Sequence, residues 1–151
     1  MKYEGGCYCR AVRYRIDKEP IKRAQCFCRE CQYLTGGAPN LFMLFSNGGF
    51  QYTKGVARTF TRQDIDKPVS RDFCSECGTH LISRRPDLEA VIVKVGTLDD
   101  PRIYGAPDFG VFGMDKQPFH WIPQGMPVYE RLPVRADGLA GTPQRKVSES
   151  T

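Results

Sequence analysis

The 151-residue chain has little of what most functional classes need. No run of 18 or more apolar residues occurs, which excludes a membrane-spanning helix of the ordinary kind. The opening residues, Met1-Lys2-Tyr3-Glu4-Gly5-Gly6-Cys7, contain no apolar stretch of the kind an export signal carries, which predicts a reducing, cytoplasmic setting. Long helical periodicity is missing, and only Arg29–Leu34, stopped by Thr35-Gly36-Gly37, has the character of a short helix. There are two histidines, His80 and His120, and one tryptophan, Trp121, so a histidine-rich metal site is excluded. No recognised nucleic-acid-binding motif is present, although the net charge is +5 and residues 1–40 carry eight basic side chains against four acidic ones. Arginines and lysines are not interleaved with aromatics in a regular pattern. Nucleic acid is therefore not expected as a partner, and Arg23 and Arg29 are read either as solvated side chains or as attractors of an anionic small molecule.

What the chain does have is turns and short strands. Eleven prolines and fifteen glycines break it into brief apolar or alternating segments. Strands are predicted over Val12–Ile16, Leu41–Phe45, Phe50–Thr53, Arg58–Arg62, Leu81–Ser83, Ala90–Val95 and Pro127–Leu132. The composition predicts one mainly β domain of short antiparallel strands over residues 1–135. Residues 136–151, without aromatics and rich in Gly, Ser, Thr and charge, are predicted to be a disordered tail.

The chain also has seven cysteines in three groups. Cys7 and Cys9 form C-x-C, Cys26, Cys28 and Cys31 form C-x-C-x-x-C, and Cys74 and Cys77 form C-x-x-C followed by Gly78. On an extended strand, residues i and i+2 face the same side, so a C-x-C pair can present two sulfurs to one ion. A C-x-x-C turn ended by glycine does the same by folding back tightly. Without an export signal, this many cysteines points to metal rather than disulfides.

A closed structural zinc site takes four ligands, so seven sulfurs complete one site and leave three. The natural division is Cys7, Cys9, Cys74 and Cys77 around one ion and Cys26, Cys28 and Cys31 around another. Closing the first over 64 intervening residues costs about 1.2 kcal/mol more than closing a finger loop of about 16. Structural zinc supplies roughly 10–16 kcal/mol, so the span is no obstacle. Three ligands with one exchangeable position is the pattern of catalytic zinc. Other arrangements satisfy the count: a histidine closing the second site, the middle cysteines pairing with Cys74 and Cys77, or no metal at all. His80 is expected to be a satisfied structural histidine, and His120-Trp121 either to line the substrate pocket or, for Trp121, to pack in the core or at the surface.

The motifs together resemble one family. Gly5-Gly6-Cys7-Tyr8-Cys9 leading into Val12-Arg13-Tyr14, Cys26-Phe27-Cys28-Arg29-Glu30-Cys31, Phe73-Cys74-Ser75-Glu76-Cys77-Gly78-Thr79 and Val95-Gly96-Thr97-Leu98-Asp99-Asp100-Pro101 follow the order of the glutathione-dependent formaldehyde-activating enzymes. The resemblance implies an Mss4-like β-tent fold and two zinc ions per chain. Cys7, Cys9, Cys74 and Cys77 would hold the structural ion, and Cys26, Cys28 and Cys31 the catalytic one. It implies a carbon–sulfur lyase activity on S-hydroxymethylglutathione, with glutathione or a related thiol as the small-molecule partner. Two positions depart from the family pattern: Arg10 stands where members usually have glycine, and Phe27 where they often have histidine. The runner-up function is a non-catalytic, zinc-stabilised module that binds nucleic acid or protein.

Overall fold

A computed structural model describes residues 2–133 of the chain. The predicted tail at 136–151 lies outside them. The described residues are mainly β, with ten strands and one α-helix. They group into two compact units interleaved in sequence: residues 2–22 with 42–105, and residues 23–41 with 106 onward.

The first unit is built from two sheets. One has three strands, β1 (Tyr3–Gly6), β2 (Arg13–Ile16) and β5 (Phe50–Lys54), all antiparallel in the order β1-β2-β5. The other runs in the order β4-β9-β8-β7-β6, where β4 is Asn40–Ser46, β6 Arg58–Thr61, β7 Ser70–Phe73, β8 His80–Arg84 and β9 Ala90–Lys94. Tyr14, Ile16, Met43, Phe45, Leu81, Ile82, Val91 and Val93 are fully buried in one core. The alternating and β-branched stretches of the sequence thus meet where their periodicity directs them.

The Val95–Pro101 segment is a clasp on this core. The Thr97 hydroxyl donates to the Lys94 carbonyl and lies 2.8 Å from the Tyr14 hydroxyl. Asp99 forms a bidentate ion pair with Arg13, and its N–H donates to the Glu4 carbonyl. Asp99 comes from outside residues 1–40, so this pair locally offsets one charge of their basic excess, whereas Arg15–Asp17 pairs charges already balanced within them. Further along, Asp72 is buried and accepts from Tyr52, Thr59 and Arg84. This explains how the polar strand β7 can lie inside a sheet.

The second unit contains β3 (Lys22–Cys26), α1 (Arg29–Thr35) and β10 (Phe109–Val111). β10 runs parallel to β3, pairing Val111 with Cys26, so the expectation of purely antiparallel strands fails at this pair. A parallel neighbour needs a long connection, and the 82 residues from 27 to 108 supply it. Pro127–Leu132 is not a strand. Val128 forms an isolated bridge to Gly110, and Pro127 inside the segment and Pro133 just after it restrict ladder pairing. Phe27, Ile122, Met126 and Val128 form this unit's core.

Gly55, just after β5, has φ +70°, and a Cβ there would meet the Ala11 carbonyl oxygen at 2.0 Å. Both atoms that would have to move are backbone. Gly55→Ala is expected to lower unfolding stability by about 2–3 kcal/mol, read from the denaturant midpoint. A loss below about 0.5 kcal/mol would show that the turn yields freely.

Candidate metal centres

The structure brings the seven cysteines into two clusters. In the first unit, the sulfurs of Cys7, Cys9, Cys74 and Cys77 all lie within 4.8 Å of one another. Cys7 and Cys9 sit on the turn after β1, and Cys74 and Cys77 on the turn between β7 and β8. Each turn is a knuckle closed by its own backbone. On the first, Cys7 N–H donates to the Val12 carbonyl, Arg10 N–H to the Cys7 carbonyl, and Val12 N–H to Cys7 Sγ at 3.2 Å. On the second, Cys74 N–H donates to the Thr79 carbonyl and Gly78 N–H to the Cys74 carbonyl, with Gly78 at φ +77°. Arg10 takes the same left-handed conformation at φ +67°, which explains why glycine suits that position. Lys54 Nζ donates to the Arg10 carbonyl at 3.0 Å and helps to hold it there.

Thr79 joins the two knuckles. Its hydroxyl accepts from Tyr8 N–H and lies 3.1 Å from Cys77 Sγ, to which it donates. That hydroxyl, seconded by the Thr79 backbone N–H, pushes the Cys77 thiol down to about 5. Burial opposes ionisation of Cys7, but the Val12 N–H and the Cys9 and Cys74 thiols outweigh it and lower its pKa. The Ala11 N–H favours ionisation of Cys9, yet burial and the sulfurs around it push that thiol up to about 12. Bare, the cluster thus holds its charge unevenly, as crowded thiols must.

The spacing suits a tetrahedral ion. Four sulfurs about 2.3 Å from a zinc lie about 3.8 Å apart along each edge. Cys7–Cys9 is 3.6 Å and Cys9–Cys74 is 3.8 Å. The residues present fit a closed zinc site.

The second cluster lies wholly in the second unit. Cys26 ends β3, Cys28 is the N-cap of α1, and Cys31 is in its first turn, with the three sulfurs within 4.8 Å. Cys28 Sγ accepts from Cys31 N–H at 3.3 Å. Hydrogen bonding to Cys28 and Cys31, with burial, pushes the Cys26 thiol well up. Among the described residues, no histidine, aspartate or glutamate joins these sulfurs within that distance. His120 has both ring nitrogens engaged elsewhere: Nδ1 accepts from Gln117 N–H at 2.9 Å, and Nε2 donates to the Gly37 carbonyl at 2.6 Å. His80, on β8 in the first unit, stacks on Phe73 with its Nδ1 buried and unpartnered, so it is less satisfied than expected. Burial, then Lys94 and Arg71, lower its pKa, which keeps the ring neutral.

Phe27 alternates away from the sulfurs into the core, 5.6 Å from the His120 ring. Sequence reasoning missed Gln32, a buried brace beneath the cluster. Its Nε2 donates to the carbonyls of Phe27 (2.8 Å) and Asp115 (3.0 Å), and its Oε1 accepts from Arg29 and Gln117. The only sequence signal for it was its place in the turn after Cys31. Arg29 also lies over the Tyr33 ring at 5.0 Å. The Gly36 and Gly37 amides both donate to the Gln32 carbonyl, so Thr35-Gly36-Gly37 is the helix stop that the sequence indicates.

A family model described as glutathione-dependent formaldehyde-activating enzyme matches residues 2–114. The chain belongs to this family. A protein of Halomonas elongata, provisionally named a glutathione-dependent formaldehyde-activating enzyme, is 33% identical over 86 residues. That match covers 54% of this chain and 55% of the relative, so the chain spans about half the length of the curated relative it matches. A crystal structure of a Rhodobacter sphaeroides protein shares the fold, with a TM-score of 0.55, 19% identity, and coverage of 69% of this chain and 96% of that one.

The two clusters should release metal unequally. Cys74→Ser is expected to abolish the cooperative melt, because structural zinc contributes roughly 10–16 kcal/mol against a typical total stability of 5–15. Cys28→Ser keeps a good N-cap and should move Tm by less than about 4 °C. Graded chelation, followed by metal analysis and circular dichroism together, should empty the three-sulfur site first with the fold intact. A single step that removes both ions and the fold together would contradict this division.

Proposed function

We propose that this protein is a zinc-dependent enzyme of the carbon–sulfur lyase type, acting on the adduct of an aldehyde with glutathione or a related thiol. Catalysis is assigned to Cys26, Cys28 and Cys31 and structure to Cys7, Cys9, Cys74 and Cys77, with two zinc ions per chain. The observation that carries the reading is the count at the second cluster: three sulfurs converge and both nitrogens of His120 are engaged away from them. A zinc ion bound there would supply a Lewis-acidic centre with one exchangeable position, able to hold a thiol as its thiolate.

The chain's own residues set the conditions. Three thiolates give such a site a net charge of −1, which favours holding a thiol over polarising a carbonyl. Cys28 and Cys31 are held in register by the first turn of α1, and Gln32 fixes that helix to the Phe27 carbonyl. In the reaction, the thiol sulfur bonds to the carbonyl carbon, the carbonyl π pair moves to oxygen, and that oxygen takes the proton the thiol gave up. Since this addition is facile in water, positioning is most of what the protein must contribute. No helix among the described residues is long and apolar enough to cross a membrane. A reduced thiol pool of the kind the cytoplasm maintains is the setting this chemistry needs.

Cys28→Ser is expected to cut thiol-dependent aldehyde exchange by at least about 100-fold, since losing even a residue behind a metal ligand costs 10–100-fold. Exchange NMR with formaldehyde, glutathione and a panel of other thiols measures it in both proteins. If neither accelerates any exchange over buffer, the enzyme reading falls and a binding module takes its place.

A further inference from the structure

The second unit carries a cleft that none of the seven cysteines lines. It has a volume of about 470 Å³ and is lined chiefly by Gln25, Gly37, Pro39, Phe119, His120 and Trp121. We propose that it is a separate small-molecule site, built for a neutral, planar apolar ligand bearing an N–H or O–H donor. The proposal goes beyond the lyase reading and does not depend on it.

Three observations carry it. First, no charged side chain lines the cleft. Glutathione, with two carboxylates and an ammonium, finds no counter-ion there, whereas a neutral ligand needs none. Second, two large rings stand open to solvent at its rim, Phe119 at 66% and Trp121 at 76% exposure. They flank His120, which is locked by its bonds to Gln117 and Gly37, so both rings hang from a braced backbone segment. Ring faces held in this way suit stacking on a flat apolar group. Third, Gln25 is only 8% exposed, and its Oε1 is buried without a hydrogen-bond partner. Buried acceptors almost always have a donor. In a cleft wall, the missing donor is one that a ligand can bring, and the broad terminal torsion of glutamine lets the amide turn to meet it.

The position separates this cleft from the sulfurs. Gly36 and Gly37 stand at the C-terminal end of α1 and Cys28 at its N-terminal end, about 10 Å away over seven residues at 1.5 Å each. Gln25 precedes Cys26 on β3, and strand alternation puts the two side chains on opposite faces.

Trp121 is the chain's one tryptophan, so its fluorescence reports on the cleft directly. Benzyl alcohol and toluene serve as probes, alike in ring and size but differing in the donor. Benzyl alcohol should shift the emission saturably, with at least about tenfold higher affinity than toluene. Gln25→Leu should bring benzyl alcohol down to the affinity of toluene and leave toluene within about threefold of the parent. Should Gln25→Leu fail to melt cooperatively, the surface variant Phe119→Ser replaces it and should weaken both probes by at least about tenfold. Cys28→Ser should bind benzyl alcohol as the parent does, whatever becomes of thiol–aldehyde turnover. No saturable response, a preference that survives Gln25→Leu, unchanged binding by Phe119→Ser, or a loss of binding in Cys28→Ser would each overturn the proposal.

Discussion

Four sulfurs drawn from two turns 65 residues apart, Cys9 to Cys74, are the constraint on which the first unit depends. Four sulfurs within 4.8 Å of one another can ionise together only if something compensates the repulsion between thiolates. The Thr79 hydroxyl on Cys77, with the backbone N–H groups of Val12 on Cys7 and Thr79 on Cys77, supplies part of this compensation. Thr79 also accepts from Tyr8, so one hydroxyl serves both knuckles. The strands that carry these turns, β1 and β2 on one side and β7 and β8 on the other, are pinned at their ends by this arrangement. The Arg13–Asp99 pair and the Thr97 hydroxyl then hold β2 to the clasp after β9.

Much of this was legible in the sequence, and the reasons are local. β2, β4, β5, β6, β8 and β9 declared themselves through alternation or β-branched runs, and α1 through its glycine stop. The cysteine groups were legible because i, i+2 and turn spacings have a direct geometric meaning. Four strands were not. β1 carries Gly5 and Gly6, β3 reads as Lys-Arg-Ala-Gln-Cys with no β-branched residue, and β10 is three residues long. β7 hides Arg71 and Asp72 in the interior, which only their long-range partners make possible. Pro127–Leu132 failed the other way, since its apolar pattern serves the core through Val128 without forming a ladder. Gln25, Gln32 and Thr79 were equally invisible, because nothing local distinguishes a polar side chain that will be buried from one that stays wet.

The segment from Gln25 to Cys28 does two jobs at once. Cys26 and Cys28 turn to the three-sulfur cluster, while Phe27 turns to a core with Ile122, Met126 and Val128. Phe27 at this position is therefore a packing residue. Its buried ring lies beside His120, in the core and not among the sulfurs. The strand thus couples the precision of the cysteine cluster to the quality of the hydrophobic packing behind it.

The interleaving of the two units has a consequence for how the chain is made. The first knuckle, with Cys7 and Cys9, leaves the ribosome well before the second. At about 5–20 residues per second, the 65 residues separating Cys9 from Cys74 take about 3–13 s to synthesise. Through that interval two thiols wait unpaired, and the complete cysteine set of the other unit, residues 26–31, emerges before they can close. During translation the three-sulfur set is therefore complete while the four-sulfur set still lacks half its members, so the order of synthesis assembles the smaller cluster ahead of the larger one.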